Sequence, residues 1–196
     1  MKKSSCSIIG CNRKHYGKGY CQRHHRNWSR HGKATTEREE AQSVLRRGSV
    51  ALTHGVVAIV DECDYDSVIE HNWHAIRRET TWYARRWDGV WMHNFIMGNR
   101  KGLIIDHINH NGIDNRRANL RLCTHAENCR NKRKTRGTSK YKGVSWNPRK
   151  MQWEVRIGHN NKMLWIGYFG EECDAATAYN VAAQLFFGDF ACLNPV

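Results

Sequence analysis

The sequence predicts an α+β protein assembled from several small units in series. Three observations predict this. Residues 1–34 are rich in Cys, His and Arg with almost no apolar core, residues from Val50 onward are full of β-branched and aromatic residues, and a last stretch pairs short strands with an Ala-rich helix. At 196 residues the chain has room for one ordinary domain or for several small ones joined end to end. Segments this different in composition favour the second arrangement.

The charge balance narrows the partners. A net charge of +14 is spread along the chain, with clusters at Arg116–Arg117, Arg130–Arg136 and Arg149–Lys150. Such a distribution suits a polyanion, because each neutralised phosphate releases condensed counterions. A membrane surface would call for a basic amphipathic helix or a lipidation signal, and neither is present. The longest clean apolar run, Val56 to Val60, is too short for a membrane span or a signal-peptide core. The expectation is an intracellular, cytoplasmic protein that works on nucleic acid, without a small-molecule substrate, as a monomer.

The first unit is residues 1–34. Cys6, Cys11, Cys21 and His24 have spacings that can fold round one ion, and thiolates with an imidazole are the ligand set of structural zinc. A segment this small cannot stabilise itself by burial, whereas metal binding can supply folding energy. His25 is an alternative fourth ligand. Without a secretory signal, clustering near histidines favours metal over disulfides. Residues 35–48, "TTEREEAQSVLRRG", have helix-forming composition and a stop signal at Gly48, which predicts a helical linker.

From Val50 the reading is β-rich: "VALTHGVVAIVDECD" and "TWYARRWDGVWMHNFIMG" are both taken as strand-forming, with an Asp-Gly hairpin turn in "WDGVW". "LIID" then ends an apolar strand, so Asp106 and His107 sit at the lip of a turn marked by Asn111-Gly112. "NLRL" reads as a second strand. Thr124 and Glu127 have the form of a capping box that starts a helix carrying Asn128 in its first turn. Strand, turn, strand, helix is a ββα unit.

The chemistry expected there follows from residue type. The Asp106 carboxylate and the Asn128 amide oxygen are hard ligands suited to one Mg²⁺ or Mn²⁺ ion. His107, titrating near neutrality, is the natural general base for a water. Asn119 would hydrogen-bond across the loop and hold the His107 backbone. His110 and His125 read as solvated or phosphate-facing. The cysteines outside the first unit (Cys63, Cys123, Cys129, Cys173 and Cys192) read as small buried hydrophobes.

The stretch "DHINHNGIDNRRANLRLCTHAENCRN" resembles the HNH endonuclease family, in the branch written roughly "DHI(N/D)xxxxDNRxxNLRxxTxxxNxxN". Asp106, His107, Asp114, Asn115, Arg116, Asn119, Leu120, Arg121, Thr124, Asn128 and Asn131 fall where that pattern places them. "LTHGVVAIVDECDYDSV", "NWHA", "YARR" and "MHNFIMG" look like the lead-in of the same branch. There His93 stands in a frequent "HR" pair whose Arg is Asn94 here, so His93 reads as structural or phosphate-facing. The resemblance implies a ββα-metal site cutting a phosphodiester bond to a 3′-hydroxyl and a 5′-phosphate. It implies catalytic roles for His107 and Asn119 and ligand roles for Asp106 and Asn128.

The first unit resembles a small CCCH module found at the front of phage endonucleases, "C…GC…GYCxxHxxxWxRHG", which implies that Arg26, Arg30, His31 and Lys33 face DNA phosphates. After a basic linker, "NCRNKRKTRGTSK", residues 141–196 resemble the AP2 DNA-binding domain. The shared marks are "YKGV", "WIGYF", the Ala-rich "DAATAYNVAA" helix and the closing "LN". That resemblance implies a three-stranded sheet in the major groove with a helix behind it. Period-two alternation puts Trp153, Val155 and Ile157 towards the helix and Glu154 and Arg156 outward; it also puts Leu164 and Ile166 inward, with Met163 and Trp165 outward. In the helix, Ala175, Ala178, Tyr179, Ala182, Leu185 and Phe186 share a stripe that Gly188 ends. Ser145, Asn147 and Met163 replace arginines of plant members, so sequence preference does not transfer.

Together these readings predict a zinc-binding module (1–34), a helical linker (35–48), an HNH endonuclease domain (49–134) and an AP2-like DNA-binding domain (138–196). The expected activity is site-recognising cleavage of double-stranded DNA, of the phage or homing kind. Arg26, Arg30, Arg116, Arg117, Arg121, Lys142, Arg149, Arg156 and Trp165 are the expected DNA contacts. A non-catalytic DNA-binding regulator and an RNA-directed protein are the rival readings.

Overall fold

The structure, a computed structural model, describes residues 5–8, 11, 13–78, 81–133 and 137–196, with the backbone alone at Glu37 and Ser43. It is mixed: short helices and small antiparallel sheets, an α+β arrangement. Two compact units form, one of residues 1–98 with 111–120 and the other of residues 99–110 with 121–196. No helix among the described residues is long and apolar enough to cross a membrane.

In the first unit, helix α1 (Gln22–His31) ends at Gly32, whose φ of 69° lets its N–H return to the Trp28 carbonyl. Helix α2 (Glu37–Val44) opens with a capping box: the Thr36 side chain accepts from the Glu39 N–H and the Glu39 carboxylate accepts from the Thr36 N–H. Strands β1 (Ser49–Ala51) and β2 (Val57–Ile59) pair antiparallel, and helix α3 (Glu62–Ile69) follows. Strands β3 (His74–Arg78) and β4 (Thr81–Arg85) form a second antiparallel pair before helix α4 (Met92–Met97). Val50, Ala58, Val68, Trp73 and Met92 are fully buried at the centre of this unit. The Trp73 indole N–H is satisfied by the Val68 carbonyl at 2.8 Å.

Two of these helices correct the β-rich reading. "ECDYDSVI" and "MHNFIM" are α3 and α4, not strands. In α3, Glu62 and Asp64 occupy the first turn, where carboxylates favour a helix start. In α4, Met92 and Ile96 are buried four residues apart, a helical spacing that overrides the strand preference of an aromatic-rich run. The Asp88-Gly89 turn does form: Arg86 N–H reaches the Val90 carbonyl at 2.8 Å and Arg85 bridges Trp91.

In the second unit, strand β5 (Ile104–His107) pairs with β6 (Leu120–Cys123), and helix α5 (His125–Asn131) follows directly. The centre of the basic stretch, residues 134–136, lies outside the described residues. Then β7 (Val144–Asn147), β8 (Gln152–His159) and β9 (Lys162–Phe169) make an antiparallel sheet with β8 in the middle, and helix α6 (Glu172–Phe187) packs on one face. Val144, Val155 and Ile157 meet Ala175, Ala176, Tyr179, Ala183 and Phe187 in that core. Gly143 has φ 75° and an added Cβ would lie 2.0 Å from the Tyr179 ring, so only glycine fits beneath that tyrosine.

The strand alternation holds, with Trp153, Leu164 and Ile166 packed against the core and Met163 and Trp165 66% and 57% exposed. The helical stripe is corrected. Leu185 is 79% exposed, and Ala176, Ala183 and Phe187 take the inward positions instead. The face that the sheet selects runs along 175/176, 179, 182/183 and 186/187. Leu185 is a quarter-turn off that face, though apolar by type.

Candidate functional site

Strand β5 carries Asp106 and His107 as its last two residues, and both are buried, 9% and 5% exposed. Three donors converge on a single oxygen of Asp106. Arg121, opposite on β6, brings Nε to Oδ2 at 3.0 Å and Nη2 at 2.8 Å, and Asn131 on α5 brings Nδ2 at 2.9 Å. The other oxygen, Oδ1, takes no hydrogen bond from any described residue. Asn131 Nδ2 also lies 3.4 Å from the His107 carbonyl, so one amide ties both members of the dipeptide to α5.

Helix α5 is set by the expected capping box. Thr124 Oγ1 accepts from the Glu127 N–H, and Glu127 Oε2 accepts from the Thr124 N–H at 2.8 Å. These bonds hold the Glu127 carboxyl below its ordinary range, with the Thr124 backbone N–H the largest cause. Asn128 lies one turn before Asn131 on the same helix, half-buried, and its side chain makes no hydrogen bond among the described residues. Asn131 has a role that residue type alone does not assign it. The signal that could have found it is its i+3 relation to Asn128.

The residue types here offer hard oxygen atoms. Asp106 Oδ1 and the Asn128 amide oxygen are oxygens without a protein donor among the described residues, and oxygen ligands suit Mg²⁺ or Mn²⁺. A soft thiolate is not among them: burial pushes the nearby Cys123 thiol up to about 11, and its sulfur faces the Ile104 carbonyl at 3.6 Å.

In the first unit, the loop residues 111–119 are held independently. Asn119 is buried and its Nδ2 donates to the Asp114 carbonyl at 2.8 Å, bracing the loop across five residues. Arg116 forks onto Asp114 at 2.8 and 2.7 Å, and Arg117 forks onto Asp64 of α3 at 2.8 and 2.8 Å. The Asp114 backbone pairs with Ile59 in a parallel bridge, and Asn115 N–H reaches the Ile59 carbonyl at 2.7 Å. Gly112 is required because a Cβ would lie 2.5 Å from the Trp82 carbonyl. The Asn-Gly signal therefore marks a close approach inside a long loop, not a two-residue hairpin. His93 stacks on Trp91 with ring planes 12° apart.

A second constellation lies near the N-terminus. Cys6, Cys11, Cys21 and His24 bring one ligand atom each within 4.8 Å of one another, and this cluster could hold a metal ion. Cys6 Sγ is 3.1 Å and Cys21 Sγ 3.5 Å from His24 Nδ1, and the Cys11 and Cys21 sulfurs are 4.0 Å apart. A tetrahedron with Zn–S arms of about 2.3 Å has edges of about 3.8 Å, so the spacings bracket what zinc needs. His24 is 3% exposed within the cluster. The ring of His25 instead meets Tyr16 edge-on at 5.3 Å, which separates the two histidines. Beside the cluster, Arg13, Lys14, Arg23, Arg26 and Arg30 line a basic groove along α1.

The remaining expected DNA contacts divide by what holds them. Arg26, Arg30 and Arg149 are exposed, and so is Trp165, whose ring lies 5.4 Å from Tyr168. Arg156 is steadied from below by Glu154 at 2.9 and 2.7 Å, and that covers Glu154, which is 8% exposed although it sits on the outer face. Lys142 is turned inward. Its ammonium donates to the Arg130 carbonyl and to the Lys132 carbonyl at 2.8 Å, and burial holds it below the usual lysine value. Those are carbonyls at the C-terminal end of α5, where a cation is favourable. Arg121 is likewise occupied: besides Asp106 it donates to the Asp189 carbonyl and lies 4.2 Å over the Phe190 ring.

Of the five cysteines outside the cluster, all expected to be buried, Cys123 and Cys192 are, but Cys63, Cys129 and Cys173 are exposed. They stand on the solvent faces of α3, α5 and α6, where a small residue is neutral to packing.

Residues 99–130 match the HNH endonuclease family model. An uncharacterized HNH endonuclease of Acanthamoeba polyphaga mimivirus is 31% identical over 94 residues, 48% of this chain and 48% of that protein. The AP2-like ethylene-responsive transcription factor ANT of Arabidopsis thaliana is 44% identical over 62 residues, 31% of this chain and 11% of that protein. An AP2-like ethylene-responsive transcription factor of Oryza sativa subsp. japonica is 42% identical over 62 residues, 31% of this chain and 10% of that protein. The chain thus spans about half the length of the viral relative and about a tenth of these plant ones. A segment similar to the HNH endonuclease model, carrying Asp106, His107, Asn119 and Asn128, and a partial AP2-like similarity therefore occur in one chain.

Proposed function

We propose that this protein is a site-recognising DNA endonuclease of the phage or homing kind, cutting a phosphodiester bond at a single-metal ββα site. The observation that carries the reading is the Asp106 carboxylate, fixed by three donors on Oδ2 and left open at Oδ1. A carboxylate anchored on one side and undonated on the other is what a cation ligand requires. Asp106 and Asn128 would hold one Mg²⁺ or Mn²⁺ ion, which when bound stabilises charge on the scissile phosphate and the leaving oxygen.

The chain's own groups supply the rest. His107 takes the proton from the attacking water, its backbone steadied through Asn131. Asn119 braces the loop through the Asp114 carbonyl. The products would be a 3′-hydroxyl and a 5′-phosphate. Double-stranded DNA is gripped through Arg26 and Arg30 beside a zinc-bound Cys6, Cys11, Cys21 and His24 module, and through Arg149, Arg156 and Trp165 on the AP2-like sheet. Arg116 and Arg117, forked onto carboxylates yet about half exposed, remain able to meet phosphates. Arg121 and Lys142 act from inside, on Asp106 and on the end of α5. The protein works as a monomer inside the cell.

Incubating the purified protein with DNA from its own genomic neighbourhood, with Mg²⁺, Mn²⁺ or a chelator, tests this reading. Metal-dependent cleavage supports it; tight binding with no cleavage under any metal defeats it. That second outcome is what a non-catalytic regulator would give, a reading favoured by the similarity to transcription factors.

A further inference from the structure

Outside the nuclease segment, one side chain is shared between two structures that the sequence treats as separate. His24 presents Nδ1 to the sulfurs of Cys6 and Cys21, at 3.1 and 3.5 Å. Its other ring nitrogen, Nε2, lies 3.1 Å from Glu39 Oε1. Glu39 is the third residue of helix α2, fifteen positions further along the chain. Its second oxygen, Oε2, accepts from the Thr36 N–H at 2.8 Å and from Thr36 Oγ1 at 3.1 Å, closing the capping box. Arg23 adds Nη2 to Oε1 at 2.9 Å.

We propose that Glu39 is a positioning residue for the N-terminal metal site and couples metal binding to the start of helix α2. The inference rests on the reading of the Cys/His cluster as a zinc site. A histidine that ligates through Nδ1 must carry its proton on Nε2, and a carboxylate accepting that proton fixes the tautomer and turns the ring towards the ion. Glu39 does this with one oxygen while the other holds the first turn of α2. The neighbouring residue carries the coupling onward. Arg38 donates Nε to the Ala51 carbonyl at 2.7 Å, Nη1 to Asn72 Oδ1 at 2.6 Å and Nη2 to the His71 carbonyl at 3.0 Å. Hydrogen bonds from two adjacent residues of α2 therefore link the metal ligand to β1 and to His71 and Asn72 just after α3. The segment read as a linker is a strut, and the module it carries is held in a set orientation only while His24 is held.

Zinc affinity of the full-length protein, measured by competition with a chromophoric chelator, tests this with three variants. Glu39→Ala removes both functions and should weaken zinc about 10- to 100-fold, the range for outer partners of metal-bound histidines. Thr36→Ala disturbs the cap but leaves the His24 contact, and should stay within about threefold of wild type. Hydrogen exchange should show the first-turn amides of α2 losing protection when wild-type zinc is removed. Wild-type affinity in Glu39→Ala, equal loss in both variants, or unchanged α2 protection without zinc would each overturn the coupling. Cys11→Ser separates this from the underlying reading: if it holds as much zinc as wild type, the zinc site itself is wrong.

Discussion

Arg121 directs both Nε and Nη2 of its fork onto Oδ2 of Asp106, at 3.0 and 2.8 Å, with both side chains nearly buried at 14% and 9% exposure. The residue expected on DNA thus organises the carboxylate expected on the metal. Removing one member of such a pair strands the other. Arg121→Ala should cost on the order of 3 kcal/mol in unfolding free energy. Arg121→Lys should recover part of it, since an ammonium supplies charge but not the fork. Urea denaturation of both variants measures this, and a destabilisation below about 0.5 kcal/mol for Arg121→Ala would contradict the pairing.

The α5 cap gives a prediction with a pH sign. Glu127 is held below its ordinary value of 4.5, so its contribution is present above that pH and is lost as pH falls through the lower folded value. Wild type and Glu127→Gln should therefore differ in melting temperature near neutrality and converge in acid. Thr124→Ala, which removes the acceptor for the Glu127 N–H, should cost about 1 kcal/mol. A Glu127→Gln difference that grows on acidification would show the sign to be wrong.

Trp165 tests the proposed role of the three-stranded sheet separately from catalysis. At 57% exposure, facing away from α6, it contributes little to the core. Trp165→Ala should leave stability within about 0.5 kcal/mol while weakening DNA binding by about 1 kcal/mol or more. Fluorescence anisotropy at fixed salt, with a melting curve alongside, separates the two. Loss of stability without loss of binding would place Trp165 in the core after all.

Gly143 offers a check on the fold itself. Its φ is 75° and the Tyr179 ring lies 2.0 Å from where a Cβ would stand, so Gly143→Ala meets both a backbone penalty and a clash. It should cost on the order of 2 kcal/mol or more, read from a thermal or urea melt. Tolerance of this change would mean that Tyr179 packs elsewhere.

Much of this was legible in the sequence because local chemistry and tertiary role coincide. Thr124 and Glu127 announce a helix start through their own side chains, and Val155 and Ile157 face inward by alternation alone. Cys6, Cys11, Cys21 and His24 have ligand-type side chains at spacings that can fold round one point, and their ligand atoms do come together. What escaped depended on partners distant in the chain. The pairing of Arg121 with Asp106 spans fifteen residues, and that of Glu39 with His24 also spans fifteen. Helices α3 and α4 were hidden by residues whose strand preference expresses packing more than backbone, and Leu185 was apolar on a face with nothing to cover it. Composition tells which residues can be buried; only the assembled fold tells which ones are.

The central claim rests on His107, and one substitution addresses it. His107→Ala should bind a DNA that the wild type cuts with affinity within about threefold, while cutting it at least about 100-fold more slowly in Mg²⁺ or Mn²⁺. Cleavage by the variant at the wild-type rate would contradict the assignment of the general base and with it the proposed site.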